Sequence, residues 1–189
     1  NIFISIDTRK SFVMKKSKKF GVNLINDISG LAYDDETVNF LKQTKIPFVI
    51  NHIRGDPNNM QVKPSYKNVL LDIYDFFEKK ISKLRLLGIK HNNIILDPGI
   101  GFGKNLKHNI TLINKISLYH TLGFPLLVGT SRKRFIKDIS KKYDTKERLG
   151  GTIASNLYLI SQGVQILRIH DVKELNQAVK VFNQINIEW

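Results

Sequence analysis

Five short stretches of this 189-residue chain set acids, amides or cations where an apolar run breaks off. Asp7 closes the run at 2–6, Asn26 ends the run that starts at Val22, and Asp97 follows Ile94, Ile95 and Leu96. Ser131, Lys133 and Arg134 come just after 124–128, and Arg168 and His170 alternate at the end of 164–169. Two carboxylates and an amide make a patch of hydrogen-bond acceptors. An aminopyrimidinone ring presents an N–H and an exocyclic amine side by side, which a carboxylate accepts in paired geometry. Asp7, Asn26 and Asp97 therefore suit a pterin or guanine edge. Lys133 stands at a strand-to-helix turn, where helix polarity adds positive charge, within reach of a ligand carbonyl. Arg168 and His170, two residues apart on one strand, point to the same side and suit a diphosphate. After Asp97 runs Pro98-Gly99-Ile100-Gly101-Phe102-Gly103-Lys104. Its glycines let the backbone pass close to a ligand, and Phe102 offers a large flat surface.

Each stretch alone has a plainer reading. Asp7-Thr8 and Asn26-Asp27 are also good helix caps, Asp-Pro-Gly is a common turn, and His52, His91, His108 and His120 are expected to be structural. Shared position favours function, because all five stretches fall at the same kind of place in the chain.

The elements that place them alternate. Strands are expected at 2–7, 22–26, 47–50, 94–96, 124–128 and 164–169. Between them lie helical patterns at 10–20 (Phe12, Val13 and Phe20 apolar), 37–44, 68–87 (Leu70, Ile73, Phe77, Ile81 and Leu84 on one side), 106–122 and 147–162, with further helices after 134 and at the end. Six strands alternating with helices and lacking hairpin signals imply parallel pairing by right-handed crossovers. In such α/β folds, open or closed, ligands bind at the carboxyl ends of the strands, where Asp7, Asn26, Asn51-His52, Asp97, Ser131-Lys133 and Arg168-His170 all lie.

Composition bounds the rest. With 42% apolar and 24% charged residues the chain suits one globular domain over 1–189. The absence of cysteine fits a reducing compartment, and no apolar run reaches membrane-spanning length, so neither a disulfide framework nor a membrane is expected. A net charge of +14 favours anionic partners. The densest cluster, Lys15-Lys16-Ser17-Lys18-Lys19, has no interleaved aromatics and reads as a solvated helix face, so no nucleic acid is expected.

Taken in order, Ser-Ile-Asp-Thr at 5–8, Ile-Asn-Asp-Ile-Ser-Gly-Leu at 25–31, the Asp-Pro-Gly-Ile-Gly-Phe-Gly-Lys run, Gly-Thr-Ser-Arg-Lys-Arg-Phe at 129–135 and Arg-Ile-His-Asp-Val at 168–172 resemble dihydropteroate synthase over essentially the whole chain. The resemblance implies a (β/α)8 TIM barrel, of which this chain supplies about six β/α units. It implies a transferase of folate biosynthesis that joins 6-hydroxymethyl-7,8-dihydropterin diphosphate to p-aminobenzoate and releases pyrophosphate. On matching positions, Asp7, Asn26, Asp97 and Lys133 would hold the pterin, and Arg168 and His170 the diphosphate. Ser131, Lys133, Arg134 and Phe102 would border the p-aminobenzoate site. Catalysis would fall to Asp7, Asp97, Lys133, Arg168 and His170. A homodimer, a cytoplasmic location, sulfonamide sensitivity and a magnesium ion are implied too, the ion's ligand being expected in an N-terminal segment that this chain lacks.

Two departures from the family pattern stand out. The chain opens at what matches the third strand, so against a typical barrel of about 250 residues roughly 60 are lacking, with open edges that favour self-association. Asn51 stands where the family usually has methionine. Rival readings are a corrinoid-type pterin-binding methyltransferase barrel, which has no need of the Ser-Arg-Lys turn or the Arg-x-His pair, a non-catalytic pterin-binding paralogue or fragment, and a basic nucleic-acid-binding domain.

Overall fold

Apolar runs with no room for polar alternation make strands buried on both faces, and that is how β2 (Leu24–Asp27), β3 (Phe48–Asn51) and β4 (Ile94–Asp97) sit in the computed structural model, which describes residues 2–55, 59–141 and 144–186. With β1 (Ser5–Asp7) they form a parallel sheet in the order β1-β2-β3-β4. β5 (Leu127–Val128) pairs in parallel with β6 (Ile166–Leu167). Leu96 N–H donates to the Pro125 carbonyl and Leu96 bridges Leu126, so the six strands run as one parallel arc.

Helices α1 (Ser11–Lys18), α2 (Glu36–Lys42), α3 (Val69–Leu86), α4 (Leu106–Asn114), α5 (Arg134–Ser140), α6 (Leu149–Ser161) and α7 (Val172–Ile185) connect and follow the strands. The α3 start is fixed by Asn68, whose side chain accepts from the N–H groups of Leu70 and Leu71. Its buried stripe is Val69, Ile73, Phe77, Ile81 and Leu84. Leu70, expected on that stripe, is only half-buried, because Val69 takes its place one step round the helix.

Three expectations need correction. The single helix expected at 106–122 is α4 followed by a 3-10 segment, Ile116–Leu122, whose tighter turn brings Ile116 and Tyr119 to the same side, both fully buried. Phe12 and Phe20 of the first helical pattern are exposed, and Ser11, Met14 and Ser17 are the residues α1 buries. The first and last two strands are shorter than their apolar runs: β1 covers 5–7, β5 127–128 and β6 166–167. Lys15, Lys16, Lys18 and Lys19 are exposed, as a solvated face requires.

Alternation along the strands divides the interior into two packed regions. Ile25, Phe48, Ile50, Ile94, Leu96, Leu126 and Val128 face the helices in the main core. Leu24, Val49, Ile95 and Leu127 turn the other way and pack together with Ile166 on the concave side of the arc. Two residues further along each of those strands, at its carboxyl end, lie Asn26, Asn51, Asp97, Gly129 and Arg168.

Candidate active site

Those five residues line one cavity of 240 Å³ at the carboxyl ends of the strands, above the concave apolar cluster. Asp7, Ile28, Phe102, Ser131, Lys133 and His170 complete it. Of the nine residues singled out from the sequence, eight therefore meet around a single space. Arg134 is the exception: as the first residue of α5 it points away, 73% exposed, toward Asp138 one turn on at 3.7 Å.

Three acceptors stand on the side of β1, β2 and β4. Asp7 Oδ1 accepts from Asn26 Nδ2 at 2.9 Å, so these two side chains engage each other, while their neighbours Thr8 and Asp27 accept from the local N–H groups of Lys10 and Ser29. The start of α1 is served instead by Asp34, whose Oδ2 accepts from Ser11 N–H at 2.7 Å. Asn26 Oδ1 is left buried without a partner. Asp97 is buried, and one of its oxygens accepts from Gly99 N–H at 2.7 Å. Burial pushes its carboxyl up from the usual range, against the opposing pull of Lys133, the Gly99 N–H, Lys104 and Arg168.

Cations stand opposite. Lys133, at the start of α5, donates to the Ile100 carbonyl and lies 4.6 Å from the centroid of the Phe102 ring, a cation–π contact that sets the aromatic face. Loss of hydration lowers its pKa to about 8, a shift that Asp97 opposes. Arg168 reaches across the mouth to Asp7 Oδ2 at 2.6 Å. His170 receives a double tie to Ser131, its backbone N–H donating to the hydroxyl at 3.2 Å and its Nδ1 lying 2.9 Å from the same oxygen. Arg168 and His170 lie just beyond the two-residue β6 and still border the same space.

The glycine loop earns its composition. Gly99 and Gly103 have φ of +69° and +67°, and a Cβ on either would collide with backbone, the His52 carbonyl oxygen for Gly99 and the Arg54 carbonyl oxygen for Gly103. The loop thus rests directly on the segment that follows β3.

Sequence reasoning missed Lys104, which holds this arrangement, and named Asn51 only as a strand-end residue that departs from the family pattern. Lys104 is 3% exposed, its Nζ donating to the Phe102 carbonyl at 2.9 Å and lying 3.0 Å from His52 Nδ1. Burial lowers its pKa to about 7, and burial with Lys104 nearby lowers that of His52 to about 3. A lysine ending a glycine loop carries no sequence signal for burial. Asn51 lines the cavity at 1% exposure; its Nδ2 donates to the Ile28 carbonyl at 3.1 Å and its Oδ1 has no partner. The two-residue step from inward-facing Val49 would have placed it there.

Residues 1–170 match the family described as pterin binding enzyme. The dihydropteroate synthase of Synechocystis sp. is 41% identical over 181 residues, which cover 96% of this chain and 63% of that protein. Among solved structures, Yersinia pestis dihydropteroate synthase in a sulfonamide drug complex superposes with a TM-score of 0.93 at 37% identity, over 98% of this chain and 67% of that one. The Thermus thermophilus enzyme was solved with 4-aminobenzoate (TM-score 0.91, 34% identity, 97% and 71% covered) and with 6HMPPP (TM-score 0.90, 34% identity, 97% and 72% covered). The arc of six β/α units is thus part of a (β/α)8 barrel, and the chain spans a little under two thirds of the Synechocystis relative's length. The chain belongs to the pterin binding enzyme family, and the relatives it matches there are dihydropteroate synthases.

Proposed function

We propose that this chain forms the pterin and diphosphate part of a dihydropteroate synthase, the protein that contains it condensing 6-hydroxymethyl-7,8-dihydropterin diphosphate with p-aminobenzoate. The observation that carries the reading is the single cavity with acceptors Asp7, Asn26 and Asp97 on one side and Lys133, Arg168 and His170 on the other. Asp97 accepts the N–H and amine of the pterin edge, and Lys133 donates to its carbonyl. Arg168 and His170 hold the diphosphate. The arylamine nitrogen attacks the exocyclic methylene; the C–O bond breaks with its electron pair passing to diphosphate, and the amine proton leaves to solvent. Charge developing on the pterin is stabilised by Asp7 and Asp97, and that on the leaving group by Arg168 and His170. Phe102 and Ser131 border the aryl position. Arg134 takes part only if its side chain turns inward from α5.

Among the described residues no three His, Cys, Asp or Glu side chains come together, and a magnesium ion in the proposed enzyme would take its ligand from outside them. No helix among the described residues is long and apolar enough to cross a membrane. A cytoplasmic homodimer that takes sulfonamides at the aryl position belongs to the same proposal. The exposed Ile2, Phe3, Phe12 and Phe20 support a further part of it, that additional β/α units cover the β1/α1 edge in a closed barrel.

Calorimetric titration with the pterin diphosphate tests the reading, beside Asp97→Asn and a pyrophosphate-release assay with p-aminobenzoate. Binding that Asp97→Asn loses is expected. Absence of binding by a chain that melts cooperatively would sink it.

A further inference from the structure

Asn51 is buried at the end of β3, and its amide can be oriented without ambiguity. The Ile28 carbonyl, 3.1 Å from Nδ2, can only accept, so the NH₂ group must face it and Oδ1 must point the other way. That oxygen is buried with no donor near it, in a residue that lines the cavity. A buried carbonyl oxygen is seldom left without a partner, and the residue that carries this one borders the ligand cavity.

Position says what the partner is. Asn51 and Asp97 are register partners on adjacent parallel strands, whose spacing is about 4.8 Å, and both lie two residues beyond the concave-facing Val49 and Ile95. A carboxylate that accepts the ring N–H and one amine hydrogen of an aminopyrimidinone leaves the second amine hydrogen projecting sideways. The neighbouring strand is where an acceptor for it belongs.

We infer that Asn51 is a further binding residue of this site, its carboxamide oxygen accepting the second hydrogen of the exocyclic amine of the ring held by Asp97. This rests on the pterin reading above and sharpens it. A 2-amino ring satisfies three hydrogens at once across β3 and β4. A 2-oxo ring has no amine hydrogens and sets its oxygen against both the Asp97 carboxylate and the Asn51 carbonyl. Selection for the amine is then shared by two strands, so part of it persists when Asn51 is altered. A hydrocarbon side chain at 51 would leave the second hydrogen unpaired and confine discrimination to Asp97.

The test pairs a protein variant with a ligand variant. Affinity for the pterin diphosphate is measured by calorimetry in the unaltered chain, Asn51→Leu, Asn51→Met and Asp97→Asn, with thermal melts recorded for each. The same titrations are run with the 2-methylamino analogue, which has lost one amine hydrogen. The expected result is a roughly 3- to 10-fold weaker affinity in both Asn51 variants, the usual range for one neutral hydrogen bond. Methylation should cost the unaltered chain clearly more than it costs the Asn51 variants. Equal affinities of unaltered and Asn51→Met chains for the pterin diphosphate, with an unchanged methylation effect, overturn the inference and leave Asn51 satisfied by water. In that case Asp97→Asn still abolishes binding and the pterin reading stands. Should no chain bind the pterin diphosphate while all melt cooperatively, both fall together. Were Asn51→Leu to misfold through loss of the tie to Ile28, the analogue titration on the unaltered chain still decides: no loss on methylation overturns the inference.

Discussion

Arg168 donates to Asp7 Oδ2 at 2.6 Å across 161 residues of sequence, joining the end of the last described strand to the end of the first. The side chains are about half exposed, 52% and 47%, so the pair adds little to stability, under about 1 kcal/mol. Its value lies in the site. In the proposed site a diphosphate would compete with Asp7 for the guanidinium, and the freed carboxylate would face the pterin. Arg168→Gln is expected to shift the melting temperature by no more than a degree or two while weakening pterin diphosphate binding at least tenfold. An Arg168→Gln chain that binds as well as the unaltered one removes Arg168 from the diphosphate site.

Lys104 ties stability to alkaline pH. Folding lowers its pKa from 10.5 to about 7 and that of Lys133 from 10.5 to about 8. Between those values and 10.5 the unfolded chain holds protons that the folded chain has released, so stability rises as pH rises through that window. Tyr66, raised from 10.0 to about 12, and Tyr119, raised further, reverse the slope above pH 10, because the unfolded phenols ionise first. Urea midpoints taken from pH 7 to 10 should climb, and Lys104→Met should flatten much of the climb. A flat profile in the unaltered chain contradicts the burial of charged Lys104.

Ligand affinity should run the opposite way from stability. The charged Lys133 ammonium is a stronger donor to a ligand carbonyl than the neutral amine, so pterin affinity should fall as pH rises through about 8. Lys133→Gln should bind more weakly at pH 7 and lose the inflection. If the inflection survives in that variant, another group is its source.

Gly103→Ala tests the contact of the loop with the segment after β3. The added methyl would meet the Arg54 backbone in a conformation that already disfavours a side chain, and a loss of more than about 2 kcal/mol is expected. Gly150→Ala in α6, with nothing within 4 Å of the new atom, should instead gain about 0.5–1 kcal/mol. Chemical unfolding of both against the unaltered chain gives the comparison.

What could be read from the sequence followed from local periodicity. Asp97 and the glycines after it announced a strand end and a close backbone approach, and alternation put Arg168 and His170 beside one space. What stayed hidden depends on neighbours distant in the chain. The partner of Arg168 is Asp7 at the other end of the arc, which no local pattern encodes. Arg134 sits one residue past Lys133, enough of a helical step to turn it outward. Phe12 and Phe20 look like core residues by type, yet α1 buries Ser11, Met14 and Ser17, because the sheet decides which face is inward. The 3-10 segment after 114 carries Tyr119, whose hydroxyl donates to the Leu70 carbonyl at 3.1 Å on another helix, a partner 49 residues away that no local pattern encodes.

The concave cluster of Leu24, Val49, Ile95, Leu127 and Ile166 has a bearing on proton traffic. Its five side chains carry no hydroxyl, amide or carboxyl through which a hydrogen ion could be handed downward, and Ser5, the register partner of Leu24 on β1, sets a hydroxyl only at the edge of that layer. In the proposed reaction, the proton that the arylamine gives up would then leave by the mouth through which the substrates arrive, past Asp7 and His170. Entry of ligand and exit of acid therefore share one doorway, and a bulky inhibitor lodged there blocks both.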